Sequence, residues 1–225
     1  MAYNFKYILD LLFPPLCRHC HARLRNAALL FCPTCLEQIT LIETQGRCWT
    51  CFAELHKGRC ERCIHRPVVI RKQIAACEAM GPMRTLLKGI QSGKREFIPA
   101  AASLMAYQWL NNKSPLPDLL IPFPVSFWHK QKLGFDANLL LTKEIAKTFS
   151  IPVHSLLKKK FDLNQFLSTG EPSFRYSLSK THSICDLRVL LIAPILDDAA
   201  LRSAGSELKT HFPTQVEVLA FTTER

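Results

Sequence analysis

Eight of the ten cysteines fall into four Cys-x-x-Cys pairs within the first 63 residues: Cys17/Cys20, Cys32/Cys35, Cys48/Cys51 and Cys60/Cys63. Two cysteines three positions apart on a tight turn present both sulfurs to one tetrahedral ion. Two such knuckles complete a closed four-thiolate site, the structural type of zinc site. Four pairs therefore predict about two structural zinc ions. Spacers of 11, 12 and 8 residues separate the pairs. Sequential pairing would make two successive ribbons, and interleaved pairing is the alternative that spacing leaves open. Such a segment buries little apolar surface, so its folding free energy comes largely from metal. His19, His21, His56 and His65 lie close by, but eight cysteines already fill two sites, and the histidines read as bystanders. Cys77 and Cys185 stand apart from any pair, beside expected strands, and read as small core residues.

The chain is 225 residues long and 48% hydrophobic, enough for one sizeable core plus a small satellite module. No apolar run reaches the roughly 18 residues of a spanning helix. No basic n-region with a small-residue cleavage site opens the chain, so it reads as a cytoplasmic protein without a signal peptide. In that compartment ten cysteines argue against disulfides. Eight thiolates and two zinc ions would reduce the formal charge of +11 to about +7. A basic surface suits polyanions such as nucleic acid or phosphorylated ligands, and it also serves ordinary solubility. There is no Walker motif and no Gly-x-Gly-x-x-Gly, and eight glycines leave little room for such loops.

Three regions follow. Residues 1–16 read as an apolar helix stopped by Pro14-Pro15 and packed on the protein's own body, with membrane-surface binding the lesser alternative. Residues 17–66 form the metal module. From residue 70 to 225 strands alternate with helices. Strands are expected at 71–78, 119–125, 187–192 and 216–221, and helices at 83–90, 99–110, 137–149 and 199–211. Gly81-Pro82 reads as a turn, Leu86, Leu87 and Ile90 as inward-facing, and Asp136 as the N-cap of helix 137–149. Residues 155–180 are polar and weakly patterned. The fold class is α/β, a mostly parallel sheet flanked by helices, with an N-terminal zinc-ribbon module. Ligands of such sheets bind at the carboxyl ends of the strands, which points to the loops after Ile121 and Ile192.

The opening Leu11-Leu12-Phe13-Pro14-Pro15-Leu16-Cys17, followed by four Cys-x-x-Cys pairs, resembles the ComF/GntX family. Gly81-Pro82-Met83-Arg84-Thr85-Leu86 resembles its Gly-Pro-Leu-Arg segment, with Lys88 near a typical lysine. Pro122-Phe123-Pro124-Val125 resembles its Pro-Val-Pro-Leu, and Gly134-Phe135 the middle of its Arg-Gly-Phe-Asn-Gln. The resemblance spans essentially the whole chain. It implies a double zinc ribbon joined to a phosphoribosyltransferase-like domain, and a role in natural competence, the uptake of single-stranded DNA.

The family's phosphoribosyl-pyrophosphate loop reads Asp-Asp-x-x-Thr-Thr-Gly-x-Thr after a hydrophobic strand. Its acidic pair faces the ribose hydroxyls, and its turn wraps the 5′-phosphate at a helix N-terminus. In this chain the acidic pair falls on Ala193-Pro194, and the phosphate turn on Asp197-Asp198-Ala199-Ala200-Leu201. Two carboxylates stand where a phosphate should sit. Sliding Asp197-Asp198 into the acidic-pair role places them four residues past the expected strand end. The family's three arginines fall on His129, Gln131 and Leu133, and its Asn-Gln on Asp136-Ala137. A downstream basic-Thr-Gln segment survives in part as Lys158, Lys160 and Gln165, with Asp162 for Thr. No phosphoribosyl-pyrophosphate binding is expected. The resemblance then implies a non-catalytic scaffold in natural transformation, with an active phosphoribosyltransferase or phosphoribosyl-pyrophosphate binder as the alternative. Single-stranded DNA and other competence proteins are the candidate partners. Basic residues beside aromatics favour DNA: Trp128, His129, Lys130 and Lys132 on the loop after the 119–125 strand, and Lys158, Lys159 and Lys160. Bland readings stand beside these: a solvated loop for the lysines, and a lid packed on the body for Trp128. Arg59 and Arg62 near the last knuckle read equally well as solvated or functional.

Overall fold

The computed structural model describes residues 13–66, 68–163, 167, 174–179 and 182–223. The expected N-terminal helix and Gln165 lie outside the described residues, apart from Phe13 to Leu16. In chain order the elements are α1 (Pro33–Glu37), β1 (Lys72–Cys77), α2 (Gly81–Gln91), a 3-10 turn (Arg95–Phe97), α3 (Ile98–Asn111), β2 (Leu119–Pro122), α4 (Phe127–Leu133), α5 (Ala137–Phe149), β3 (Leu157–Phe161), β4 (Phe174–Leu178), β5 (Arg188–Leu196), α6 (Asp198–Lys209) and β6 (Gln215–Thr223).

Four strands form one parallel sheet in the order β1-β6-β5-β2. Its central strands read as continuous apolar runs because both faces are covered: Val189 to Ala193 and Val218 to Phe221 are fully buried. Helix α3 packs on β1 and β6, α5 packs on β2 and β5, and the two helices pack on each other. α3 carries the chain from β1 to β2, whereas α6 carries it from β5 to β6 in the opposite direction. Right-handed crossovers running opposite ways fall on opposite faces, so α6 covers the other side. The α/β class with a mostly parallel sheet is therefore as expected.

Both edges of the sheet are shielded. Beyond β2, Val153 bridges Leu120 in parallel, and the Leu120 and His154 amides complete the contact at 3.0 and 3.1 Å. Beyond β1 lies the cysteine-rich module. Leu41 forms an antiparallel bridge to Cys77, the Ile42 amide donates to Ala76 O at 3.1 Å, and the Gln73 amide donates to Trp49 O at 2.7 Å. Gln108 of α3 donates to Ile42 O at 2.6 Å, and the Lys72 ammonium sits 4.3 Å from the centre of the Trp49 ring. An exposed edge strand is a template for aggregation, and the module removes it.

Several details differ from the sequence expectations. Gly81-Pro82 opens α2 rather than forming a separate turn; proline suits a first helical position because its missing N–H is not needed there. Within α2, Gly89 is required by packing, since a Cβ there would lie 2.5 Å from the Phe97 ring. The 155–180 stretch contains a two-stranded antiparallel hairpin, β3–β4, with Lys159 opposite Tyr176 and Phe161 opposite Phe174. Its lysines hid the alternation, because a hairpin of this kind packs only one face. β5 runs on through Ala193-Pro194 to Leu196. Proline is tolerated there because β2 stops opposite Ile192, leaving β5 paired on one side only. Cys185 is an exposed turn residue whose thiol contacts Asp186, not a core residue; the Cys185-Asp186 turn, closed by the Leu187 amide on Ile184 O at 3.3 Å, puts it in solvent. Cys77 is fully buried as expected, and burial pushes its thiol up to about 12.

Candidate metal centre and the turn after strand β5

The eight paired cysteines gather into two clusters, Cys17–Cys20–Cys32–Cys35 and Cys48–Cys51–Cys60–Cys63, each with its sulfurs within 4.8 Å of one another. The pairing left open by spacing is thus sequential. A tetrahedral zinc with sulfurs about 2.3 Å away has sulfur–sulfur edges of about 3.8 Å. The separations of 3.5 Å for Cys20–Cys32, 3.9 Å for Cys48–Cys63 and 3.5 Å for Cys51–Cys60 fit that cage. Both four-cysteine sites are compatible with structural zinc, and among the described residues they contain no histidine. His19 instead contacts Thr85 at 2.9 Å. At Cys17 burial pushes the thiol up, but backbone N–H groups of Cys20, Cys32 and His19 outweigh it and bring the value down to about 6. In the same cluster burial, reinforced by contacts to Cys20 and Cys32, pushes Cys35 up.

The second cluster sits beside the carboxyl ends of β5 and β6. A polar cavity of about 570 Å³ lies between them, lined by Arg47, His56, Cys60 and Arg62 on the module and Leu196, Asp198 and Thr223 on the sheet side. Arg62 therefore faces a cavity. Arg47 is held by Glu54 at 3.5 Å and Glu78 at 3.7 Å.

The turn after β5 is very short. Leu196 ends the strand, Asp197 is the N-cap, and α6 begins at Asp198. Asp197 accepts the Ala200 amide at 3.1 Å, and Leu201 N donates to the Asp197 carbonyl at 2.9 Å. A donor that would face a bound phosphate is thus satisfied by the chain's own carboxylate. Asp198 accepts from Arg202 at 3.0 Å and from Gln73 at 3.4 Å, and it pairs with Arg66 at 3.7 Å. The sequence expectation placed Asp197-Asp198 four residues beyond the strand; in fact they follow its last residue directly. Ala193 is buried within β5, and Pro194 follows it in the same strand. Ala199, exposed, and Ala200 lie in the first turn of α6, and Leu201 is buried beneath them.

Hairpin β3–β4 stands over this turn. Burial, and then the Asp197 carboxylate, push the Tyr176 phenol up to about 12. Burial holds Lys159 below the usual lysine range, and Asp197 partly opposes that. The Tyr176 ring meets Phe123, just after β2, at 5.4 Å. Lys159 stacks over Phe174 at 3.9 Å, and Phe174 meets Phe161 edge-on at 5.9 Å. Lys158 and Lys160 point outward from the other face of the strand. The lysine run is therefore a strand, not a loop.

Trp128, His129, Lys130 and Lys132 lie on helix α4 rather than on a loop. Ser126 caps it through the His129 amide, and Gly134 ends it with φ of 72°. The missed signal was Ser126 three residues before His129, with Gly134 after the last turn. Trp128 is 80% exposed, so it is no packed lid; its described ring contact is Phe127, 6.0 Å away. Lys130 pairs with Asp136 at 2.7 Å, and Asp136 caps α5 as expected. The structure thus places the basic-aromatic residues on two separate elements, α4 and the hairpin, both near the carboxyl end of β2.

Among the described residues no helix is long and apolar enough to cross a membrane. No protein-family model matches the sequence, and no curated protein matches it significantly. Solved structures similar to this chain include a purine phosphoribosyltransferase from Pyrococcus horikoshii, 15% identical over 56% of this chain and 75% of that one, with a TM-score of 0.39. A hypoxanthine-guanine phosphoribosyltransferase from Bacillus anthracis is 11% identical over 59% and 72%, with a TM-score of 0.40. A hypoxanthine phosphoribosyltransferase from Staphylococcus aureus is 17% identical over 58% and 65%, with a TM-score of 0.39. The parallel sheet itself rests on the strand register and not on these likenesses.

Proposed function

We propose that this chain is a ComF-like cytoplasmic protein of natural transformation: a non-catalytic, phosphoribosyltransferase-like scaffold (residues 70–225) carrying a double zinc ribbon (residues 17–66) that handles single-stranded DNA. The observation that carries the non-catalytic part is the turn after β5. Asp197 caps α6 with its own carboxylate, and Asp198 is committed to Arg202 and Arg66. An incoming 5′-phosphate would meet the Asp197 carboxylate and would compete with Asp198 for Arg202 and Arg66, and the glycine and hydroxyls that normally offset its desolvation are absent. The DNA part is supported by Trp128, exposed beside Lys132, and by the outward lysines Lys158 and Lys160. Exposed aromatics with flanking cations suit stacked bases and a phosphate backbone. Other competence proteins are the alternative partner.

One observation favours a second reading, an active phosphoribosyltransferase. Asp197-Asp198 sit directly at the carboxyl end of β5, where an acidic pair could bridge magnesium to a ribose. Calorimetric titration of phosphoribosyl pyrophosphate, with and without magnesium, separates the two. No binding is expected in either condition. Micromolar binding abolished by Asp197→Asn with Asp198→Asn would restore the enzyme. In parallel, anisotropy with labelled single-stranded DNA should show affinity that falls steeply with salt. Trp128→Ala should weaken it by about 1–3 kcal/mol. Salt-independent binding, or none at low salt, would point to a protein partner.

A further inference from the structure

We infer that Arg202 is a positioning residue for the second four-cysteine site, and that it makes this site hold its metal more tightly than the first. The inference rests on the zinc reading of the two clusters. Arg202 belongs to α6, 139 residues away in sequence from Cys63, yet its Nη2 lies 3.9 Å from the Cys63 sulfur. Its Nε is locked on both Asp198 oxygens, at 3.1 and 3.0 Å. Asp198 is itself braced by Arg66 at 3.7 Å and by the buried Gln73 at 3.4 Å. The Arg202 side chain is 18% exposed, so water screens it little.

Four thiolates around a divalent ion carry a net charge of −2. A fixed guanidinium that donates an N–H to one sulfur offsets part of this charge and holds the Cys63 side chain in place. Outer-shell partners of this kind change metal affinity by about 10–100-fold. The first cluster is built differently. Backbone N–H groups of Cys20, Cys32 and His19 face Cys17, that of Cys32 at 3.3 Å, and among the described residues no side-chain cation is hydrogen-bonded to the sulfurs of this cluster. Asp198 then has a role that needs no ligand: it orients Arg202 toward the cage. The carboxylate that spoils a phosphate site joins the sheet domain to the metal module.

The test uses the full-length zinc-loaded protein and a chromogenic chelator. Wild-type protein should release its two ions in two phases. Arg202→Met, which keeps the volume and removes the charge, should speed the slower phase by about 10-fold or more and leave the faster one unchanged. Cys48→Ser should remove that same slow phase, which assigns it to the second site. Asp198→Asn leaves Arg202 present but unlocked and should speed the slow phase several-fold. With cobalt in place of zinc, Arg202→Met should also shift the thiolate-to-metal charge-transfer band of one site. Wild-type release in both Arg202→Met and Asp198→Asn, or equal acceleration of both phases, overturns the inference. If Cys48→Ser removes neither phase, the zinc reading fails first, and the two failures are told apart.

Discussion

Replacing Asp197 separates a structural carboxylate from a functional one. Its side chain accepts the Ala200 amide at 3.1 Å, and its backbone is extended, at φ −93° and ψ 102°, as an N-cap requires. Asp197→Ala leaves that amide without a partner in a half-buried turn and should cost about 1 kcal/mol. Asp198 remains in the first turn of α6, so most of the interaction with the helix dipole survives and adds little to that figure. For a chain of this size a loss of about 1 kcal/mol lowers the melting temperature by about 2–4 °C. Asp197→Asn keeps a capping oxygen and should cost only a few tenths of a kcal/mol. Calorimetric melts of zinc-saturated protein measure both. Amide exchange at Ala200 should accelerate in the alanine variant and stay near wild type in the asparagine variant. A more stable Asp197→Ala protein would refute the reasoning. It would mean that the carboxylate is held at a stability cost, as ligand-binding groups often are.

Native mass spectrometry should find about two zinc ions per chain and about one in Cys48→Ser, whose weakened module should uncover the β1 edge and promote aggregation; a metal-free, disulfide-bonded native protein would contradict this. The Tyr176 phenol, pushed up by burial and by Asp197 to about 12, stays protonated when free tyrosines ionise. Its folded value lies above its unfolded one, so its stabilising contribution is full below about pH 10 and is lost as pH rises toward 12. Tyr176 should therefore ionise late in an absorbance titration, and Asp197→Asn should bring it earlier.

Where pattern and local chemistry agreed, the sequence was legible. Asp136 before Ala137 to Phe149 carried both a cap and a 3.6-residue period, and the helix has those bounds. Val189 to Ile192 read as a buried strand because nothing polar interrupts it. Its far end was not legible, because Pro194 ordinarily stops a strand and only the early end of β2 permits it to continue. The hairpin failed for a related reason. Lys158, Lys159 and Lys160 offer no alternation, and β3 is held by pairing with a strand that follows twelve residues later. In the candidate sites, thiol spacing picked out the eight cysteines that gather into the two clusters, because a Cys-x-x-Cys knuckle is a local feature. Arg202 could not be found that way, since its relation to Cys63 exists only after α6 folds.

On the function proposed above, that same long-range contact would account for a turn that keeps its fold without a ligand. A phosphate loop is costly to maintain empty, since its free N–H groups and mutually close anions or cations need a partner. Here several such groups have internal partners: Asp197 takes the Ala200 and Leu201 amides, and Asp198 takes Arg202 and Arg66. The cysteine-rich module supplies Arg66 and the Cys63 sulfur, and it also covers the edge of β1 through Leu41, Ile42 and Trp49. The module thus contributes at two places, one along the sheet edge and one at the carboxyl ends of β5 and β6. Loss of the second site should loosen both together. Hydrogen exchange after selective removal of that zinc should therefore rise in β1 and at the start of α6 with one shared rate, whereas separate rates would mean that the two contacts are independent.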